Sequence, residues 1–231
     1  DSTGGEYLNT LNMVDVKTRW TEFLCLINRS QAATTAAIDA CRVRLPYPLL
    51  GLDSDNGSEF INWDLKRYCE QAKITFTRCR PYRKNDQAYV EQKNWTAIRQ
   101  FVGYDRYEGI VAYHAMEALY EPLRLYLNFF QPTMVLISKR REGAKLIKKY
   151  DQAKTPYQRV LDAPDVSDDA KQRLTQQYDQ LNPAALLRQI EACQEALWRL
   201  ANRPAPDDDL SEFLQKLSPG AQPTPTTVAA R

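Results

Sequence analysis

The apolar run Leu49–Leu52 passes without a spacer into Asp53-Ser54-Asp55-Asn56-Gly57. A short apolar stretch that stops in a polar, glycine-containing loop reads as a buried strand closed by a tight turn. Pro46 and Pro48 precede it and end the Ala-rich segment Ala32–Val43, which reads as a helix. Beyond the loop, Leu65, Tyr68, Cys69 and Ala72 share one helical face, and Ile74–Phe76 is a brief strand. Upstream, the thin alternation from Tyr7 to Val14 and the run from Glu22 to Ile27 predict two strands joined by a turn through Asp15–Arg19. Two strands followed by a β–α–β order predict a mixed α/β fold, in which a parallel addition extends an antiparallel start.

Further along, Pro81–Lys84 is a loop, and Asp86–Val102 and His114–Asn128 read as helices. After Asp151 only helices are expected. Asp168–Leu181 and Pro183–Ala201 are amphipathic, and the second carries Leu186, Ile190, Cys193, Leu197 and Leu200 at helical spacing, a stripe suited to intramolecular core. From Pro204 the Pro- and Asp-rich sequence reads as a linker and flexible tail. No apolar run approaches the roughly 18 residues of a membrane-spanning helix, so that class of protein is excluded. The five cysteines are scattered without a C-x-x-C pair and only one histidine, His114, is present, which argues against a zinc site and for buried, reduced thiols.

The net charge of +2 conceals an uneven distribution. Residues 1–72 hold 7 Lys/Arg against 10 Asp/Glu, residues 73–149 hold 15 against 7, and residues 150–231 hold 9 against 12. The basic middle third interleaves cations with aromatics, as phosphate-backbone binding requires. A solvated basic face is the competing reading. Lys139, Arg140, Arg141, Lys145, Lys148 and Lys149 form a second basic cluster, compatible equally with a DNA-holding strand pair and with a solvated face.

Asp55 and Glu91 stand 36 positions apart. Asp55 leaves the C-terminal end of the strand, where open α/β sheets generally place their ligands, and Glu91 lies on the following helix. Two convergent carboxylates suit a hard divalent cation such as Mg²⁺. Taken singly, Asp55 is equally a turn former and Glu91 equally a charge on a helix surface.

Three stretches together carry a resemblance: Leu52-Asp53-Ser54-Asp55-Asn56-Gly57-Ser58-Glu59-Phe60, Phe76-Thr77-Arg78-Cys79-Arg80-Pro81-Tyr82-Arg83-Lys84-Asn85-Asp86, and Val90-Glu91-Gln92-Lys93-Asn94-Trp95. They resemble the catalytic core of DDE transposases and retroviral-type integrases, most of all the bacterial insertion-sequence branch, from the first residues to about Asp162. The resemblance implies an RNase H-like mixed sheet flanked by helices, with an all-helical C-terminal extension. It also implies metal-dependent DNA cleavage and strand transfer for a mobile element, by in-line phosphoryl transfer. Asp55 and Glu91 match the second and third acids of the family's triad and are the expected catalytic and metal-holding residues, with two Mg²⁺ or Mn²⁺ ions in the complete enzyme. Asp53 reads as a neighbour of the site.

The first acid is where this sequence departs from the family pattern. The chain begins at Asp1 without Met, and the resemblance places the first-strand acid upstream, so the expectation is an N-terminally truncated chain lacking its first strand and first ligand. Arg78, Arg80, Arg83 and Lys84 match the active-site loop, and Lys93, Asn94 and Arg99 share the Glu91 helix; all seven are expected DNA contacts. The expected organisation is a catalytic core at 1–130, a basic post-core segment at 131–162, a helical extension at 163–203 and a tail at 204–231. The expected partners are DNA, as element ends and target, and further copies of the chain in a homo-oligomer, with no membrane; the expected location is the bacterial cytoplasm, at the nucleoid. A catalytically impaired DNA-binding remnant and an RNase H-like nuclease are the alternatives.

Overall fold

The computed structural model describes residues 7–54, 63–78 and 98–201. Strand β1 (Asn9–Val14) pairs antiparallel with β2 (Thr21–Leu26), Val14 standing opposite Thr21 and Asn9 opposite Leu26. Asp15 builds the turn between them. Its Oδ1 accepts from the backbone N–H groups of Lys17 and Thr18 and from the Thr18 hydroxyl, and Arg19 takes up the left-handed conformation (φ 66°) that lets the chain reverse.

Helix α1 (Gln31–Arg44) starts where the Ser30 side chain accepts from Ala33 N–H and stops before Pro46. Thr34, Ala37, Ile38 and Cys41 form its buried stripe at helical spacing. Strand β3 (Gly51–Ser54) and strand β4 (Thr75–Arg78) are parallel, and helix α2 (Trp63–Gln71) lies between them in sequence. The chain leaves α2 through Lys73 at φ 56°, with Ile74 N–H donating to Cys69 C=O, a helix-terminating loop that glycine usually occupies. The expected buried strand is displaced and largely uncovered. It begins at Gly51, and Leu50 is 74% exposed, because β3 has β4 as its sole partner among the described residues.

Helix α3 (Gly109–Phe129) begins five residues earlier than the apolar spacing predicts and runs across the molecule. After it, β5 (Leu136–Glu142) and β6 (Lys145–Tyr150) form an antiparallel hairpin, the strand pair that was one of the two readings of this basic segment. Three helices follow: α4 (Pro156–Asp162), opened by a Thr155–Gln158 capping box, α5 (Asp168–Gln180), and α6 (Pro183–Arg199). Each of the last two begins on a polar cap, Ser167 and Asn182. Small sheets flanked by helices make the fold mixed α/β, and the three described sheets are each two-stranded.

Strand β2 is buried along its whole length and separates two apolar clusters. Phe23 and Cys25 face α3 and α6, where Leu119, Leu123, Ile190, Cys193 and Leu197 meet them. Leu24 and Leu26 face the opposite way, onto Ile38 and Cys41 of α1 and Leu65 and Cys69 of α2. This two-sided burial explains why β2 reads as a continuous apolar run rather than an alternation. A third cluster joins Trp20 and Phe129 to Tyr157, Val160 and Leu174. The stripe on α6 is thus intramolecular core, as its spacing predicts. Cys25, Cys41, Cys69 and Cys193 are buried free thiols; burial pushes Cys25 and Cys41 up to about 12, which removes them as thiolate nucleophiles.

Candidate functional site

The parallel pair β3–β4 positions the candidate site. Its register runs Gly51 to Thr75, Leu52 to Phe76, Asp53 to Thr77 and Ser54 to Arg78, so the carboxyl ends of both strands finish level. Asp53 accepts a hydrogen bond of 2.7 Å from the Thr77 hydroxyl across the pair. Ser54 is buried, and its Oγ has no hydrogen-bond partner among the described residues. Beneath the strands, Leu65, Cys69 and Ile74 anchor the connecting helix in the core.

Arg78 is the last residue of β4 and is exposed beside Ser54. Arg99 lies on a helical turn at 98–101, also exposed, with its guanidinium carbon 4.9 Å from the centre of the Tyr104 ring. That stacking holds a cation outward at modest cost. Asp55, Glu91, Arg80, Arg83, Lys84, Lys93 and Asn94 lie outside the described residues, as do Cys79 and Trp95. The described structure brings Arg78 to the end of the β3–β4 pair and leaves Arg99 on a separate surface turn.

A second charged cluster, absent from the sequence reading, is structural. Glu22 on β2 is fully buried, and its Oε1 accepts 2.7 Å from Trp20 Nε1–H and 3.3 Å from Arg124 Nη1 on α3. Arg124 also donates to Glu121 at 2.9 Å. Burial pushes the Glu22 carboxyl above the usual carboxylate range, and Arg124 opposes that shift. Glu22 Oε1 is shared between the Trp20 indole and the Arg124 guanidinium, so the contact braces β2 against α3. No local pattern announces the pair, because 102 positions separate its members.

The outer edge of β2 is closed by side chains of α3. Asn128 accepts from Thr21 N–H at 2.9 Å and donates to Thr21 C=O at 2.8 Å, and Glu117 accepts from Cys25 N–H at 2.7 Å. Three backbone groups on the edge that β1 leaves unpaired are therefore satisfied from the helix.

The integrase core domain family model matches residues 1–84, a span that ends six residues beyond β4. Residues 1–84 fit the integrase core family. Strands β1, β2, β3 and β4 and helices α1 and α2 all fall within the matched span. The chain is 40% identical over 158 residues, covering 68% of its length, to the uncharacterized protein y4rM of Sinorhizobium fredii (strain NBRC 101917 / NGR234). It spans 45% of that relative's length. Among solved structures, the simian T-cell lymphotropic virus intasome in complex with the PP2A regulatory subunit B56 gamma matches at TM-score 0.42 and 13% identity, over 54% of this chain and 43% of that one. Among the described residues no helix is long and apolar enough to cross a membrane.

Proposed function

We propose that the integrase-core segment belongs to a transposase or integrase of RNase H-like fold that cuts and joins DNA by in-line phosphoryl transfer, with Asp55 and Glu91 among its catalytic carboxylates. The observation that supports this reading is the level ending of the parallel pair β3–β4 at Ser54 and Arg78, one residue before Asp55 and inside the span that fits integrase cores. Ligands of open α/β sheets gather at such carboxyl ends. The cation on the neighbouring strand end suits a phosphate there.

Carboxylates at Asp55 and Glu91 are a hard oxygen donor set that fits Mg²⁺ or Mn²⁺. Asp55 and Glu91 would hold such ions, which would supply activation of the attacking water or 3′-hydroxyl and charge neutralisation at the leaving oxygen. Arg78, Arg80, Arg83, Lys84, Lys93, Asn94 and Arg99 are the residues proposed to hold the DNA backbone and orient the scissile phosphate. Joining two element ends to a target calls for more than one active site, so the working form is a homo-oligomer acting on DNA at the nucleoid. The proposed organisation keeps the core at 1–130, the basic segment at 131–162, the helical part at 163–203 and the tail at 204–231.

The test is strand transfer by the protein between an element end and a target duplex in Mg²⁺. Asp55→Asn and Glu91→Gln each reduce joining by at least about a thousandfold while leaving duplex binding intact. Joining at the parental rate in both variants refutes the assignment.

A further inference from the structure

We propose that the β5–β6 hairpin is a second nucleic-acid site, a ribbon that enters the major groove of duplex DNA. This rests on the reading of the chain as a DNA-processing protein but uses none of the residues assigned to its chemistry. Every residue from Leu136 to Glu142 and from Lys145 to Tyr150 is exposed. A two-stranded hairpin with no covered face is marginal in water by itself. Its charge makes it less favourable still: six cations stand against the single acid Glu142.

The register sorts these side chains onto two faces. Residues directly opposite one another share a face, so Lys139 with Lys148 and Arg141 with Leu146 lie on one side. That side carries three cations and no acid within the ribbon. On the other side Arg140 is paired with Glu142. Two lysines placed directly opposite are destabilising in a free hairpin, and an anion seated between them reverses the sign of that term. Leu136, Leu146 and Tyr150 project from the same face as Lys139 and Lys148 and are exposed, offering apolar contact to thymine methyl groups beside the phosphates.

The ribbon is short-turned and firmly mounted. Gly143 at φ 58° occupies the first position of the two-residue turn, with no positive φ at Ala144, the pattern of a type II′ hairpin turn. At its base Arg159 donates to Asp151 Oδ2 at 2.6 Å and to Thr133 C=O at 2.7 Å, and a bridge between Thr133 and Lys154 joins the segments that enter and leave the hairpin. Arg159 belongs to α4, whose Tyr157 and Val160 are in the core, so the arm has a fixed direction. Two strands about 5 Å apart with their side chains match a groove about 12 Å wide in B-form DNA. The deep, narrow major groove of A-form RNA does not admit such a ribbon, which commits the occupant to DNA.

The experiment measures binding of a mixed-sequence duplex DNA, and of the same sequence as duplex RNA, against salt concentration. The triple variant K139Q/R141Q/K148Q of the full chain is compared with the parent, with K139R/K148R and with D55N/E91Q. The triple variant is expected to lose at least about tenfold in DNA affinity and to flatten the salt slope by about 2.7, at 0.9 per released phosphate contact. The Lys→Arg variant keeps the parental slope, and RNA binding changes less than DNA binding. Because the substituted side chains are exposed, the urea midpoint stays at the parental value. A parental salt slope in the triple variant overturns the proposal, as does an effect confined to self-association. D55N/E91Q separates the two readings: its failure to abolish strand transfer defeats the catalytic assignment and leaves the hairpin result standing.

Discussion

Asn128 on α3 exchanges two hydrogen bonds with the backbone of Thr21 on β2, at 2.9 and 2.8 Å, and so acts as a missing strand partner at the start of the strand. Both groups are fully buried. Replacing Asn128 by Leu strands a buried N–H and a buried C=O, each costing about 1–3 kcal/mol, for a total of about 2–6 kcal/mol. The urea midpoint of N128L reads this loss; a change under about 0.5 kcal/mol would show that water replaces the amide.

A comparable repair occurs inside α3. Pro122 has no N–H to give to Ala118 C=O, and the Cys193 thiol of α6 points at that oxygen at 3.5 Å. The thiol therefore stands near an acceptor that the helix leaves free, while its own bulk fills the core. Cys193→Ala is expected to destabilise by about 1–2 kcal/mol, more than the lost volume of one sulfur accounts for. Pro122→Ala restores the helical donor, so the double variant P122A/C193A should lose less than C193A alone. Equal losses from C193A in the two backgrounds would separate the thiol from the proline.

Burial raises the Glu22 carboxyl above its ordinary value, so between that value and the raised one the folded chain holds a proton that the unfolded chain has released. Stability contributed by this group is present at low pH and declines as pH rises through the window. Glu22→Gln removes the titration while keeping an acceptor for Trp20. Urea midpoints from about pH 5 to about pH 8 should fall less steeply in E22Q than in the parent. Arg124→Met leaves the buried carboxylate uncompensated and costs about 3–5 kcal/mol at neutral pH.

Asp151 titrates in the opposite sense. The Arg159 guanidinium holds its carboxyl below the usual range, aided by Val135 N–H. Its contribution is present above the ordinary carboxylate value and is lost as pH falls through the lowered one. Because this contact sits at the hairpin base, acid should loosen amide-exchange protection of Val135 and Asp151 before that of β2. Asp151→Asn should reproduce the loosening at neutral pH, and simultaneous loss in both regions would contradict it.

For the proposed DNA contacts near Glu91, Lys93→Gln is expected to weaken duplex binding across sequences and to flatten the salt slope by about one. Sequence-dependent weakening with an unchanged slope would mean that Lys93 touches bases rather than phosphate.

Sequence periodicity and punctuation were enough to determine most local elements of this protein. Ser30, Ser167 and Asn182 open helices because a side-chain oxygen satisfies nearby amides, and Pro46 stops α1 because the restriction acts on adjacent residues. The parallel β3–β4 unit followed for the same reason, from an apolar run, a loop, a helix face and a second short run. What only the tertiary structure decided involves partners far apart along the chain. Glu117 and Asn128 close the edge of β2 across 92 and 107 positions, and Arg124 meets Glu22 across 102, separations at which local pattern carries no information. The hairpin lies between these cases. Its cations were visible in the sequence, but their sorting onto one acid-free face depends on Lys139 standing opposite Lys148 and Arg141 opposite Leu146, a register set by strand pairing rather than by composition.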